Sequence, residues 1–316
     1  MSTEGRIAQI ATSPLLTNYA ITASQRAIRP VGQFIAPLCE VPDFTFRYKI
    51  YTEDNRFKVP STMRQPGARA TRLGFTAQDA TAQLEPHALD FPIPNVDGLS
   101  DEALTFSIME AQSTLADASA LALEYEIVTA AKSAAVSSSL STTVDFTDPG
   151  VDPIAVLDNI ILAVKLAAKN GAPVKVLFGT TKFKQFRDNP NVRSRFIVSN
   201  RGTRARNVGT ISPTIADVGN LLIFNPDCQC SEMVVDTAAE GLSPNVQFLL
   251  DTVVIVFAAN DTPNRMDPSF MKTFSRMGGF FKPGNYLTED QRDQVLKMDW
   301  HTMPVVTNTT AVAAVQ

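Results

Sequence analysis

Residues 100–135, SDEALTFSIMEAQSTLADASALALEYEIVTAAKSAA, decide the fold. The segment contains no proline or glycine, and it begins with Ser, Asp and Glu, which favour the N-terminus of a helix. At 1.5 Å per residue the predicted helix is about 50 Å long, about three times the usual length. Its apolar residues recur at spacings of three and four, which predicts one buried stripe. These residues are Leu104, Ile108, Ala111, Leu115, Ala118, Ala122 and Tyr125.

The segment before this helix is an extended arm with little core of its own. Residues 44–51 alternate apolar and polar side chains, the pattern of a strand with one buried face. Residues 52–73 contain few large apolar side chains, and residues 82–94 are again extended but interrupted by three prolines. We therefore predict an out-and-back ribbon over residues 44–95, poorly stabilised in a single chain.

The arm and the helix differ sharply in charge. Residues 44–72 hold two acidic and seven basic residues, a net charge of +5; the basic ones are Arg47, Lys49, Arg56, Lys58, Arg64, Arg69 and Arg72. Residues 73–131 hold ten carboxylates and no lysine or arginine. Within the helix, Glu110, Asp117 and Glu124 are seven residues apart and are predicted to form one acidic ridge. We expect the arm of one copy to pair with the helix of another, the alternative being that both faces are only solvated.

The sequence after the helix changes to an α/β pattern, so the fold class is α+β. Residues 137–149 form a polar linker, residues 153–169 an amphipathic helix, and residues 174–178 a buried strand. A helix is predicted from Thr180 to about Asp188, and strands fill much of the remaining chain.

A second basic cluster covers residues 182–206, with eight basic residues against one acidic residue. Two interpretations stay open: non-specific contact with DNA, or a loop that pairs with acidic neighbours around a symmetry axis or is simply solvated. The pattern favours the second. The candidate contacts are Arg193, Arg195, Arg201, Arg204 and Arg206.

Composition and motifs argue against several other classes of protein. The net charge of −4 does not suit a wholly basic nucleic-acid binder, and the three cysteines lack the spacing of a disulfide framework or zinc site. Residues 253–259, the most apolar run, are too short to cross a membrane, and residues 1–9 lack a secretory signal. His87 and His301 lack a nucleophile or metal motif, so we predict no catalytic residue, cofactor or metal. A soluble α/β enzyme with an arm for dimerisation remains a weaker alternative.

The order of these parts resembles the HK97-like major capsid proteins of tailed bacteriophages. ITASQRAIRPVGQFIAPLCEVP (residues 21–42) looks like the family's N-terminal arm, residues 44–94 look like its E-loop, and residues 100–135 look like the spine helix of its P-domain. DPIAVLDNIILAVKLAAKNGAPVKVLFGTTKFKQFRDNPNVRSRF (152–196) is similar to the entry into the A-domain. FMKTFSRMGGFF (270–281) and MDWHTMPVVTNTTAVAAV (298–315) look like the strands that return to the P-domain.

This resemblance implies a domain plan and a structural role. The plan is an N-terminal arm (1–43), an E-loop (44–95), a P-domain with spine helix (96–152), an A-domain (153–259) and return strands (260–316). The implied role is self-assembly through hexameric and pentameric capsomers into an icosahedral virion shell around double-stranded DNA, formed in the host cytoplasm without a membrane. Expected partners are a separate scaffolding protein, a portal and a decoration protein.

Two features of the family bear on the details. Some members crosslink covalently through a lysine and an asparagine; Lys49 and Lys58 lie on the arm, but no local pattern marks either one, and we expect no crosslink. An encapsulin-like compartment, which has the same fold but encloses enzyme cargo, is the principal alternative.

Overall fold

The computed structural model describes residues 30–50, 59, 62–64, 66–67, 69, 72, 78–94, 101–168, 171–199, 213–238, 242–276, 281–288 and 293–316. The helices are α1 (Pro30–Ile35), α2 (Asp101–Val136), α3 (Pro153–Ala168), α4 (Thr180–Asp188), α5 (Pro190–Ser199) and α6 (Ile215–Leu221). The first seven strands are β1 (Leu38–Val41), β2 (Thr45–Ile50), β3 (Gln78–Gln83), β4 (Glu85–Pro94), β5 (Val174–Phe178), β6 (Asp227–Cys230) and β7 (Val234–Asp236). The others are β8 (Val246–Phe248), β9 (Val254–Ala258), β10 (Met271–Arg276), β11 (Phe281–Leu287), β12 (Asp293–Val306) and β13 (Val312–Val315), with a 3₁₀ turn at Thr309–Ala311.

The chain divides into two compact units. The first comprises Met1–Phe46, Ala82–Ile127 and Thr273–Pro304, and the second comprises Arg47–Thr81, Val128–Lys272 and Val305–Gln316. The mixture of helix and sheet confirms the predicted α+β class.

The first unit is built on a five-stranded sheet. Its order is β1-β10-β12-β11, and β4 also pairs with the long strand β12, antiparallel from Pro94–Asp293 to Glu85–Thr302. Trp300 lies in the core, where Phe281 meets its ring edge-on at 5.6 Å and His87 stacks on it at 5.3 Å. The core cluster includes Leu104, Ile108, Ala111 and Leu115 of α2.

Helix α2 has nearly the predicted bounds, but its buried face differs from the predicted stripe. The stripe is correct in its first half and wrong in its second, where Ala118, Ala122 and Tyr125 are exposed. The buried residues instead continue in steps of four: Leu104, Ile108, Gln112, Ala116, Ala120, Glu124 and Val128. Because a helix turns about 100° per residue, each step moves the buried face by about 40° around the axis. The predicted stripe, with an average spacing of 3.5 residues, would keep the buried residues on one side of the helix. The observed buried residues do not stay on one side over the 36 residues of α2.

The winding of the buried face corrects one predicted site residue. Glu124, placed on the acidic ridge by its spacing from Asp117, is buried at 3 % exposure. Glu110 and Asp117 are exposed as predicted. The ridge therefore has two exposed acidic residues in the described helix rather than three, since its third position turns inward.

The second unit is built on a four-stranded sheet of order β13-β9-β5-β6. The central strands β5 and β9 are antiparallel and buried at every residue, as expected of their continuous apolar sequences. Helix α3 buries the side of its surface that carries Leu157, Ile161 and Val164. After β5 the chain turns at Gly179 into α4, and a Cβ at Gly179 would lie 2.3 Å from the Asp251 carbonyl oxygen.

Candidate functional site

The base of the arm is a two-stranded ribbon of β2 and β3. The Lys49 ammonium forms an ion pair with Asp79, which belongs to the acidic segment of the sequence. Just before the ribbon, the Arg276 guanidinium lies over the Phe44 ring at 4.7 Å, and the His301 ring meets Phe44 edge-on at 5.0 Å. Part of the predicted pairing between basic and acidic residues therefore occurs within the ribbon of a single chain. Phe44, at the start of the ribbon, is held by its contacts with Arg276 and His301.

The described residues beyond the ribbon are exposed. Arg64, Arg69 and Arg72 are all on the surface, while Arg56 and Lys58 lie outside the described residues. Two large apolar side chains, Val59 and Met63, are 96 % and 93 % exposed. This part of the arm thus presents cations together with apolar side chains, a combination suited to a partner that is acidic and apolar.

The exposed face of α2 has the complementary character. Phe106, Glu110 and Asp117 are separated by four and seven residues, which places them on one side of the helix. Phe106 is 73 % exposed, and Tyr125 is also exposed further along. The sequence interpretation missed Phe106, although an aromatic residue outside the apolar stripe was a signal that could have found it. We call this surface, Phe106, Glu110 and Asp117, the acidic helix face.

Two carboxylates are also close together on the side of α2 opposite Glu110, since Glu126 is 16 residues further along the helix. Glu126 is partly buried, and that burial, together with the nearby Glu85 carboxylate, raises the pKa of Glu126 above its ordinary value. Both residues belong to the segment without lysine or arginine. A basic partner would reduce this repulsion.

The second basic cluster is largely helical and partly neutralised within the chain. Residues 182–188 lie in α4, the helix predicted from Thr180. The interpretation as a loop is wrong for Pro190–Ser199, which form α5 and bury Val192 and Phe196, four residues apart. Lys182 is buried, donates to the Val144 carbonyl oxygen at 2.8 Å and lies over the Phe146 ring. Burial lowers the pKa of Lys182, and Asp145 partly offsets the effect.

The arginines of this cluster divide into two groups. Arg193 forms an ion pair with Asp188 at 2.8 Å, and Arg195 forms one with Asp152. Arg201, Arg204 and Arg206 lie outside the described residues. These intrachain pairs reduce the cationic surface that α5 offers to an anionic partner.

The three cysteines, which were considered as disulfide or zinc ligands, are buried or partly buried. Cys39 is buried. The burial of Cys228, together with the nearby Asp227 carboxylate, raises the pKa of the Cys228 thiol to about 12. Burial and Glu232 raise the pKa of Cys230 to about 11, so both thiols are protonated near neutral pH. No group of three or more potential metal ligands occurs among the described residues. None of the described helices has the length and hydropathy needed to cross a membrane.

Sequence comparison finds no relative: no family model and no curated protein matches the chain. Comparison of structures shows the fold, which matches that of HK97-like capsid structures. It is similar to the crystal structure of a phage-related protein from Bordetella bronchiseptica RB50, with a TM-score of 0.66 and 17 % identity over 96 % of each chain.

Two further structures have the same fold at lower similarity. The capsid structure of cyanophage P-SCSP1u has a TM-score of 0.52 and 10 % identity, over 89 % of this chain and 86 % of that one. The holo-SrpI encapsulin complex of Synechococcus elongatus PCC 7942 has a TM-score of 0.53 and 10 % identity, over 92 % and 88 %. The resemblance drawn from the sequence is therefore confirmed at the level of the fold.

Proposed function

We propose that this protein is a major capsid protein that assembles, through hexameric and pentameric capsomers, into an icosahedral shell around double-stranded DNA. The observation that carries the proposal is the fold, which matches a phage-related protein and a cyanophage capsid over nearly the whole chain. Its work in this proposal is structural rather than catalytic, and its place is the virion, after assembly in the host cytoplasm.

The comparison with known structures favours DNA over enzyme cargo as the contents of the shell. The TM-score with the phage-related protein is 0.66, and the score with the encapsulin is 0.53. DNA contact would be non-specific and salt-sensitive, with Arg201, Arg204 and Arg206 as the remaining candidate contacts. The proposed partners of the shell are a separate scaffolding protein, a portal and a decoration protein.

The assembly contact that we propose joins the arm of one copy to the acidic helix face of a neighbour. Arg64, Arg69 and Arg72 are exposed on the arm, and Glu110 and Asp117 are exposed on the helix. Met63 and Phe106 supply apolar surface on the two sides, and each is exposed in the single chain. A ribbon with so little buried surface would be stabilised by such docking, and many weak contacts would hold the shell together.

Charge reversal on the helix tests this contact. We expect the double variant Glu110→Lys/Asp117→Lys to reduce the yield of particles at least tenfold, because like charges facing each other cost several kcal/mol. The yield is measured by electron microscopy and sedimentation of the purified protein. The matched control is Glu40→Lys/Asp43→Lys, which makes the same change in charge at two exposed residues outside α2. Equal particle yields from the two double variants would contradict the contact.

A further inference from the structure

The start of the arm is held by a contact that contains a titratable group. The Phe44 ring contacts the Arg276 guanidinium at 4.7 Å and meets the His301 ring edge-on at 5.0 Å. The Phe44 carbonyl oxygen accepts a hydrogen bond from the Leu84 N–H at 2.8 Å, next to the first residue of β2 and the last residue of β3. All four residues belong to the first unit. The contacts that hold Phe44 therefore also hold this end of the ribbon.

The surroundings of His301 suit its neutral form. Its Nδ1 atom is buried, and no described residue is its hydrogen-bond partner. A protonated imidazole carries an N–H on both ring nitrogens, so protonation of His301 would bury a donor without an acceptor. Histidine is the side chain whose charge ordinarily changes between pH 5 and 8. The contact with Phe44 is therefore expected to respond to pH within this range.

The charged groups that face His301 come from four strands, and most of them oppose a positive charge on its ring. Burial of the ring and the cations around it hold the pKa of His301 below its ordinary value. Asp299 of β12 acts in the other direction, but its carboxylate is already paired with the Lys297 ammonium at 2.7 Å. The groups that oppose the charge are Arg276 of β10, Lys282 of β11 and, when it is protonated, His87 of β4.

We propose that His301 is a pH-sensitive switch that holds Phe44 at the start of the arm while its imidazole is neutral and releases Phe44 when the imidazole is protonated. Because the pKa of His301 is lowered in the closed contact, closure is favoured most above about pH 6.5, the ordinary pKa of histidine. Closure weakens as the pH falls below this value through the lowered pKa. Release lets water accept the hydrogen bond that the Nδ1–H cannot make in the closed contact. The switch acts within one chain and does not depend on the proposed function.

The carboxyl pair beside α2 responds to acid in the opposite direction. The pKa of Glu126 is raised by burial and by Glu85, so the first unit gains stability from Glu126 as the pH falls. A loosening of Phe44 in acid therefore has the sign expected of His301 and not that of Glu126.

Hydrogen exchange of the Leu84 amide tests the switch in the unassembled full chain. Its protection factor, measured by NMR and corrected for the intrinsic effect of pH, is expected to fall at least about threefold between about pH 7.5 and about pH 5. The variant His301→Phe keeps an aromatic ring beside Phe44 but cannot be protonated, so its protection factor is expected to stay constant.

His87→Phe is the matched control for this experiment. His87 lies directly across from Trp300 and stacks on its ring, on the face of the sheet opposite to the side chain of His301. This variant is expected to keep the wild-type fall in protection. A constant protection factor in the wild type, or the same fall in His301→Phe as in His87→Phe, overturns the proposal.

An NMR titration of the imidazole signals tests the electrostatic cause directly. The chain has two histidines, so the two single variants assign both signals. His301 is expected to titrate below about pH 6.5 in the wild type. Arg276→Gln removes a facing cation and is expected to raise the pKa of His301, whereas Arg276→Lys keeps the charge and should change it little.

Two results of this titration would contradict the switch. One is a wild-type His301 that titrates at or above about pH 6.5. The other is a pKa of His301 that is the same in Arg276→Gln as in the wild type. Neither experiment requires assembly, so its failure leaves the proposed function intact.

Discussion

Replacing Arg64, Arg69 and Arg72 together by glutamate abolishes particle formation and leaves the melting temperature of the unassembled chain unchanged. All three side chains are exposed, so the single chain loses little when they change. In the assembly, however, three positive charges become three negative ones opposite a helix face that carries Glu110 and Asp117. We expect a loss of particles well above tenfold, because attraction is replaced by repulsion at every copy of the contact.

The matched control retains the charge. The triple lysine variant of the same positions should assemble at close to the wild-type yield, measured by sedimentation and electron microscopy at equal protein concentration. Adding Glu110→Lys and Asp117→Lys to the glutamate variant should restore part of the yield, since the two surfaces are again opposite in sign. Normal particles from the glutamate variant alone would exclude the proposed contact.

Gly179→Ala is expected to destabilise the second unit by about 3 kcal/mol, because overpacking against rigid backbone is costly. The new Cβ would lie 2.3 Å from the Asp251 carbonyl oxygen and 2.8 Å from that of Val253, and neither is the end of a flexible side chain. The Gly179 N–H also donates to the Val253 carbonyl oxygen at 2.9 Å, so the chain cannot move away without losing that hydrogen bond.

Urea denaturation of the unassembled protein measures this effect. Gly171→Ala is the control, since no atom of the described residues lies within 4 Å of its added Cβ, and its stability should stay within about 0.5 kcal/mol of the wild type. An unchanged midpoint for Gly179→Ala would show that the turn between β5 and α4 is not packed as described.

Helices and strands whose own residues form an uninterrupted pattern could be predicted from the sequence. The best example is α2. Its 36 residues lack proline and glycine, and its observed bounds differ from the predicted ones by one residue. Strand β5 was equally clear, because a short apolar run next to Gly179 is typical of a buried strand. In both cases the pattern that defines the element lies within the element itself.

Burial of individual side chains could not be predicted in this way, because it depends on what packs against each position. The sequence predicts that Glu124 and Lys182 are charged residues on the surface, yet both are buried. Lys182 packs against Phe146 and donates a hydrogen bond to the Val144 carbonyl oxygen. Conversely, Phe106 and Phe224 read as ordinary apolar residues but are exposed. Of these misplaced residues, Phe106 belongs to the acidic helix face of the proposed contact.

The central claim is that this chain assembles with copies of itself into a closed shell, and electron microscopy tests it most directly. The purified protein, expressed alone and again with the neighbouring genes that encode candidate scaffolding proteins, is separated by size and imaged. We predict shells, tubes or rings of five or six subunits in at least one of these preparations. A uniform small oligomer at high concentration in both preparations would contradict the claim.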